Sequence, residues 1–314
     1  MGRSASRFLL CAAAVAIASP TYASEDDATG WLLRMDRALR DLDYEGRLVF
    51  VHGNAVEALQ LTHSAEDGRE RLVSLNGPAR EVKRDDAELV CPVPDVGQVS
   101  LTRSDGSVGG ARLVALDPLH LGEGYEARLE GEARIAGRAA RVVALVPRDR
   151  YRYGHRLYLD AESALPLKAD LLDERGTPLT QAMFVSFEVR GGRPPAAGTA
   201  PPARPVRTAE LAPLPLRFAT VPPGFRLAAS GRRTLPGSGR ELQHVVFSDG
   251  ATSVSVYVAS PAHHDLQGLA EVGAVNAFGR RVGAHQVTAM GEVPAATLEA
   301  LVDGVVVGGE EDTK

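Results

Sequence analysis

The chain has 314 residues, of which 44% are hydrophobic, 24% charged and 5% aromatic; these near-average fractions exclude a collagen-like or wholly disordered protein. With 35 Lys and Arg against 40 Asp and Glu the formal charge is −5, which excludes binding of nucleic acid through overall positive charge. The 32 glycines and 20 prolines, beside eight Phe and one Trp, imply many turns and favour β structure.

Arg3 and Arg7 precede an apolar run over residues 8–18, and Thr21-Tyr22-Ala23 offers a small residue for cleavage. The run falls well short of the roughly twenty residues that span a bilayer, so residues 1–23 are predicted to be a secretory signal peptide. Cys11 lies inside the apolar run after Leu9-Leu10, without the preceding small residue that a lipidated cysteine needs. Cleavage after Ala23 removes Arg3 and Arg7, takes the charge from −5 to −7, and leaves Cys91 as the single cysteine. The mature chain therefore has no internal disulfide and is held by packing. Cys91 reads either as a buried apolar thiol or as a reactive one.

Over residues 29–42, Trp31, Met35, Leu39 and Leu42 recur at helical spacing with Arg34, Asp36, Arg37, Arg40 and Asp41 opposite. Asp26, Asp27 and Thr29 supply capping chemistry at the start of this predicted helix. After Gly46 the apolar period changes to two. Residues 47–52, 56–63, 70–75 and a stretch from Glu81 are predicted strands separated by hairpin-type turns. Pro92 and Pro94 bar a central strand near Cys91. Further strands are predicted at 125–135, 139–146, 157–160, 165–172 and 181–189, which together describe a large curved antiparallel sheet or an open barrel behind one helix. Residues 191–213 hold six prolines and no periodicity, the signature of a flexible linker between domain 24–190 and a second domain, 214–307. In that second domain residues 242–247, the Asp249-Gly250 turn and residues 252–259 form a hairpin, 285–290 another strand, and Pro294 opens a helix over 295–302. Residues 308–314 form an acidic tail.

The chain carries no G-x-S-x-G, H-E-x-x-H, P-loop or C-x-x-C motif. Residues 122–127 fit the loose dinucleotide pattern G-x-G-x-x-A, but they lead into a strand, whereas that pattern works only by opening a helix. The histidines do not converge as metal ligands must. No catalytic, metal or cofactor-binding residue is assigned, and no cofactor is expected. The one local concentration of charge is Arg148, Arg150, Arg152 and Arg156 with His155, opposed only by Asp149. If extended, Arg148, Arg150 and Arg152 share one face. They read either as a solvated strand edge or as a docking site for anionic groups; Arg232-Arg233 offers the same two readings.

Several segments resemble a known family. Leu72-Val73-Ser74-Leu75-Asn76-Gly77-Pro78-Ala79-Arg80-Glu81-Val82 is similar to a segment of the RseB/MucB family, as are Tyr151-Arg152-Tyr153-Gly154-His155-Arg156-Leu157-Tyr158-Leu159-Asp160, Leu165-Pro166-Leu167-Lys168 and Leu171-Leu172-Asp173-Glu174-Arg175-Gly176. The likeness continues in Val221-Pro222-Pro223-Gly224-Phe225, the Ser248–Val256 turn and strand, and Val287-Thr288-Ala289-Met290-Gly291-Glu292-Val293-Pro294. Met290 departs from the expected β-branched residue.

The resemblance implies a periplasmic negative regulator of a sigma-E (AlgU) type stress sigma factor. It implies a mainly β, α+β architecture: an N-terminal unclosed antiparallel β-barrel similar to the lipoprotein carriers LolA and LolB, then a small C-terminal α+β domain. The implied partner is the periplasmic segment of a transmembrane anti-sigma factor of the RseA/MucA type, shielded from site-1 proteolysis until lipopolysaccharide or lipoprotein acyl chains bind. Homo-oligomers remain open, and a carrier of the LolA/LolB type is the alternative reading. Within the implied cavity, Leu48, Phe50, Leu59, Leu61, Val143 and Leu145 are the expected lining, since their spacing places them on common faces. Arg148, Arg150, Arg152, Arg232 and Arg233 are the expected contacts for an anionic head group or the partner.

Overall fold

The computed structural model describes residues 27–66, 68–76, 81–84, 88–93, 97–102, 116–191, 216–234, 241–262 and 265–307. The expected signal peptide, the expected linker apart from Gly191, the acidic tail, His263 and His264 lie outside the described residues.

Helix α1 (Ala28–Asp41) starts from Asp27, whose carboxylate accepts the Gly30 amide at 2.7 Å, the capping role that its position predicts. Trp31, Leu32, Met35 and Ala38 form its buried stripe, and each large member contributes roughly 1.5–3 kcal/mol by leaving water. Strands β1 (Asp43–His52), β2 (Ala55–Ser64), β3 (Arg69–Ser74) and β4 (Glu81–Arg84) follow as successive hairpins. Among the described residues, strands β5 (Glu88–Val93) and β6 (Gly97–Thr102) pair with each other alone; a two-stranded sheet has no central strand, so Pro92 is tolerated. Strands β7 (Tyr125–Ile135), β8 (Arg138–Pro147), β9 (Gly154–Asp160), β10 (Pro166–Leu172) and β11 (Pro178–Gly191) complete a nine-stranded antiparallel sheet, ordered β4-β3-β2-β1-β11-β10-β9-β8-β7.

That sheet wraps around α1. The first turns of the helix pack on Val143, Leu145, Leu157 and Leu159 of β8 and β9, while Ala38 and Leu42 pack on Leu48, Leu61, Leu72 and Phe184 of β1, β2, β3 and β11. One helix reaches both flanks of the sheet only if the sheet curls, yet β4 and β7 are its edges among the described residues. Of the curved sheet and the open barrel that the alternation allows, the structure has an unclosed, barrel-like sheet, as the family resemblance implies.

The second half adds β12 (Leu216–Phe218), β13 (Arg226–Thr234), β14 (Glu241–Ser248), β15 (Ser253–Ala259), β16 (Gly268–Val272), β17 (Val275–Val282), β18 (His285–Gly291), helix α2 (Ala295–Asp303) and β19 (Val305–Val307). Six of these form an antiparallel sheet, β13-β14-β15-β18-β17-β16, and β12 pairs with β19. Val254, Val256 and Val258 alternate inward along β15 and meet Leu298, Leu301 and Val302 of α2 in a single core. The chain is thus mainly β, with two helices among the described residues and unclosed sheets.

Candidate functional site

The two sheets meet at a buried polar joint centred on Arg152. Pro147 ends β8, the Asp149 carboxylate accepts the Tyr151 amide at 2.9 Å and bends the chain, and β9 resumes only at Gly154. The bend turns Arg152 inward, where it is 2% exposed. Its Nε donates to Asp249 Oδ2 at 2.7 Å, Nη1 donates to Asp149, and Nη2 donates to the Pro223 carbonyl. Asp249 belongs to the β14–β15 turn, and its other oxygen accepts the Ala251 and Thr252 amides at 3.0 and 2.9 Å. One carboxylate therefore shapes a turn in one domain and neutralises a cation from the other.

Two glycines make room for the guanidinium. A Cβ on Gly124 would stand 2.4 Å from Arg152 Nε, and one on Gly224, where φ is +78°, would stand 2.9 Å from Nη2. The aromatic residues that follow these glycines, Tyr125 and Phe225, hold their ring centroids 5.8 and 5.1 Å from the guanidinium carbon. Around this centre Asp117 N donates to Gly250 O at 2.6 Å, Thr297 Oγ1 to Tyr151 O at 2.6 Å, and Asn276 Nδ2 to the Tyr153 hydroxyl at 3.0 Å. At the exposed rim Arg226 pairs with Glu123 at 2.7 Å. Side chains also cross: Tyr151 packs on the C-terminal core and Ala251 on the N-terminal one.

The same environment perturbs two neighbours. Burial pushes the His155 imidazole down to about 4, partly countered by the Asp249 charge. Burial, reinforced by Asp249, holds the Tyr125 hydroxyl well above the usual phenol range. Both rings are neutral at pH 7, and neither His155 Nε2 nor the Tyr125 hydroxyl has a hydrogen-bond partner among the described residues. Among those residues no group of His, Cys, Asp and Glu is arranged to hold a metal ion, and no helix is long and apolar enough to cross a membrane.

The expected basic face is corrected by this geometry. Arg148 and Arg150 are exposed, Arg148 donating to the Tyr125 carbonyl at 3.1 Å and Arg150 lying 5.4 Å from the Tyr151 ring. Arg152 is not on their surface, because its charge is taken up by carboxylates of this chain. Arg232 is exposed on β13, an edge strand of the other sheet, and the Arg233 side chain lies outside the described residues. The expected cavity lining divides in two. Leu48, Phe50, Leu59 and Leu61 share one face of the β1–β2 hairpin, with Leu48 opposite Leu59, and only Phe50 and Leu59 are half-exposed. Val143 and Leu145 are fully buried beneath α1.

The joint itself was not visible as a site in the sequence, where Gly122–Tyr125 reads as a failed dinucleotide motif and Asp249-Gly250 as a hairpin turn. Its local signal is a glycine followed by an aromatic residue, at Gly124-Tyr125 and Gly224-Phe225. The segments that supply Asp149, Tyr151, Arg152, Pro223, Gly224 and Asp249 match, as a whole, a described family. Residues 27–214 match the MucB/RseB N-terminal domain and residues 212–306 the MucB/RseB C-terminal domain. The chain belongs to the MucB/RseB family. It is 32% identical over 311 residues to the sigma factor AlgU regulatory protein MucB of Pseudomonas aeruginosa, with 95% of each chain covered. A solved complex of Pseudomonas aeruginosa MucA and MucB superposes with a TM-score of 0.68 at 28% identity, over 90% of this chain and 99% of that one. A crystal structure of MucB superposes with a TM-score of 0.60 at 29% identity, over 88% and 97%. In this MucB/RseB chain the joint therefore lies between the two domains by which the family is defined.

Proposed function

We propose that this MucB/RseB chain is a periplasmic regulator that binds the periplasmic segment of a transmembrane anti-sigma factor of the MucA type. Bound, it shields that segment from site-1 proteolysis; lipopolysaccharide or lipoprotein acyl chains then favour a form that lets the segment go. The observation that carries this reading is the fit to MucB in complex with MucA over both domains and 90% of the chain. A lipid carrier would have no use for the second domain or for a buried joint that fixes it. Release is a matter of linkage: lipid expels the segment only to the extent that it binds the released form more tightly.

The half-exposed Phe50 and Leu59 are the apolar positions that an acyl chain reaches without first unpacking the core. Arg148 and Arg150 offer phosphate groups exposed guanidinium forks, against a mature chain whose net charge of −7 repels anions. The test is binding of a labelled MucA periplasmic segment to the mature chain, titrated with lipid A. Saturable binding that lipid A reverses supports the regulator; lipid binding with no affinity for the segment would establish the carrier reading instead.

A further inference from the structure

A guanidinium removed from water is stable only while its counter-charges and acceptors stay in place. Of the three acceptors that Arg152 uses, two belong to the C-terminal domain, Asp249 and the Pro223 carbonyl, and one, Asp149, to its own. Separating the domains strips away the first two together and admits water. A small separation gains nothing, because a stretched and still dry ion pair has lost its attraction without recovering hydration. The contact is therefore closed or open, with no stable position between. The glycines at 124 and 224, one from each side, show that the closed position is built: side chains there would fill the space that the guanidinium needs. The chain superposes with a TM-score of 0.68 on MucB in complex with MucA and of 0.60 on a second MucB structure.

We infer that Arg152 is the latch of a two-position interdomain joint, closed in the form that binds the anti-sigma segment and open in the form that releases it. The inference rests on the regulatory reading above and adds the residue at which the two forms are held apart. Arg152 is a positioning residue: its three donors face this chain's own acceptors, and it acts by fixing how the domains present themselves. Apparent affinity scales with the fraction of protein in the competent form. A variant with less than a tenth of its molecules latched binds the segment at least tenfold more weakly. The same variant binds the releasing lipid more tightly, since it no longer has to break the latch. Simple structural damage weakens both.

Two variants of the full mature chain test this, Arg152→Gln and Asp249→Asn, the second keeping an acceptor oxygen for the β14–β15 turn. Each is measured for affinity to the labelled MucA periplasmic segment, for affinity to lipid A, and by small-angle scattering, with circular dichroism as the check on folding. Expected are at least tenfold weaker segment binding, tighter lipid A binding and a larger radius of gyration in a folded protein. Segment affinity within twofold of the unaltered chain in either folded variant overturns the latch, as does a parallel loss of both ligands. If the unaltered chain binds no segment, it is the regulatory reading that fails, and the latch's role in it falls as a consequence.

Discussion

His155 gives the interdomain joint a pH dependence whose size follows from its surroundings. The imidazole sits edge-on to Tyr125, with centroids 5.9 Å apart and planes at 61°. Burial lowers its pKa from the ordinary 6.5 to about 4. Because the folded value lies below the unfolded one, the unfolded chain takes up the proton first as the pH falls. Stability is unaffected above about pH 6.5, declines below it, and the loss levels off below about pH 4. At pH 4.5 the loss through this one ring is about 2–3 kcal/mol relative to pH 7.5, from roughly 1.4 kcal/mol per pKa unit. Replacing His155 by Phe keeps a flat ring against Tyr125 and removes the titration. Urea unfolding of the chain and of His155→Phe at pH 7.5 and 4.5 isolates the effect, since every other titrating group is common to both. The variant is expected to gain about 2–3 kcal/mol relative to the unaltered chain on going to pH 4.5. A stability difference that stays constant between the two pH values would refute a neutral His155 with its Nε2 shut off from water.

Three further outcomes follow from the same geometry. Gly124→Ala drives a methyl group to 2.4 Å from Arg152 Nε and is expected to cost about 1–3 kcal/mol in urea unfolding, whereas Gly122→Ala, with nothing within 4 Å of the new Cβ, stays within about 0.5 kcal/mol; equal costs would mean that the cradle is not tight. Phe50→Asp, at a half-exposed strand position, is expected to fold and to lose lipid A binding, and a folded variant that still binds lipid A removes Phe50 from the acyl site. Joint replacement of Arg148 and Arg150 by Ser is expected to weaken lipid A more than a dephosphorylated lipid with the same chains. Added salt should shrink that difference, because exposed charges are screened over about 8 Å at physiological ionic strength; equal losses for both lipids would place the damage in the apolar site.

Where burial is decided by the element's own neighbours, the sequence was sufficient. The stripe Trp31–Met35 and the alternation Val254–Val256–Val258 each encode a buried face locally, and α1 and β15 form where those periods predict. Strands β12, β13, β16, β17 and β19 carried no such period. Strand β13 is an edge strand with three arginines among its nine residues, and β12 and β19 are three residues long and buttress each other. The same division explains the basic tract. A period of two assumed that residues 148–152 were extended, but Pro147, Asp149 and Gly154 are turn-forming residues that break the strand, and the break decides which arginine is buried. The acceptor that Arg152 meets lies 97 residues further along the chain, beyond any local pattern. Residue-level siting of the joint therefore needed the three-dimensional structure, although its segments had already carried the family likeness.

The chemistry chosen for the joint is informative in itself. Replacing a buried ion pair by apolar residues of similar volume is often neutral or stabilising, by up to about 4 kcal/mol, so Arg152 and Asp249 are poorly explained as a device for maximal stability. What an ion pair supplies is direction. Apolar packing alone, Tyr151 on the C-terminal core and Ala251 on the N-terminal one, tolerates sliding, since its energy follows buried area and not orientation. The guanidinium fixes three directions at once, towards Asp149, Asp249 and the Pro223 carbonyl, and only one placement of the domains satisfies all three. It also makes the open form accessible. A separated apolar face exposes surface that water disfavours, whereas a separated guanidinium and carboxylate each recover hydration. A joint that must hold one geometry and yet let go of it is better served by charge than by grease, and the burial of Arg152 between two domains follows that logic.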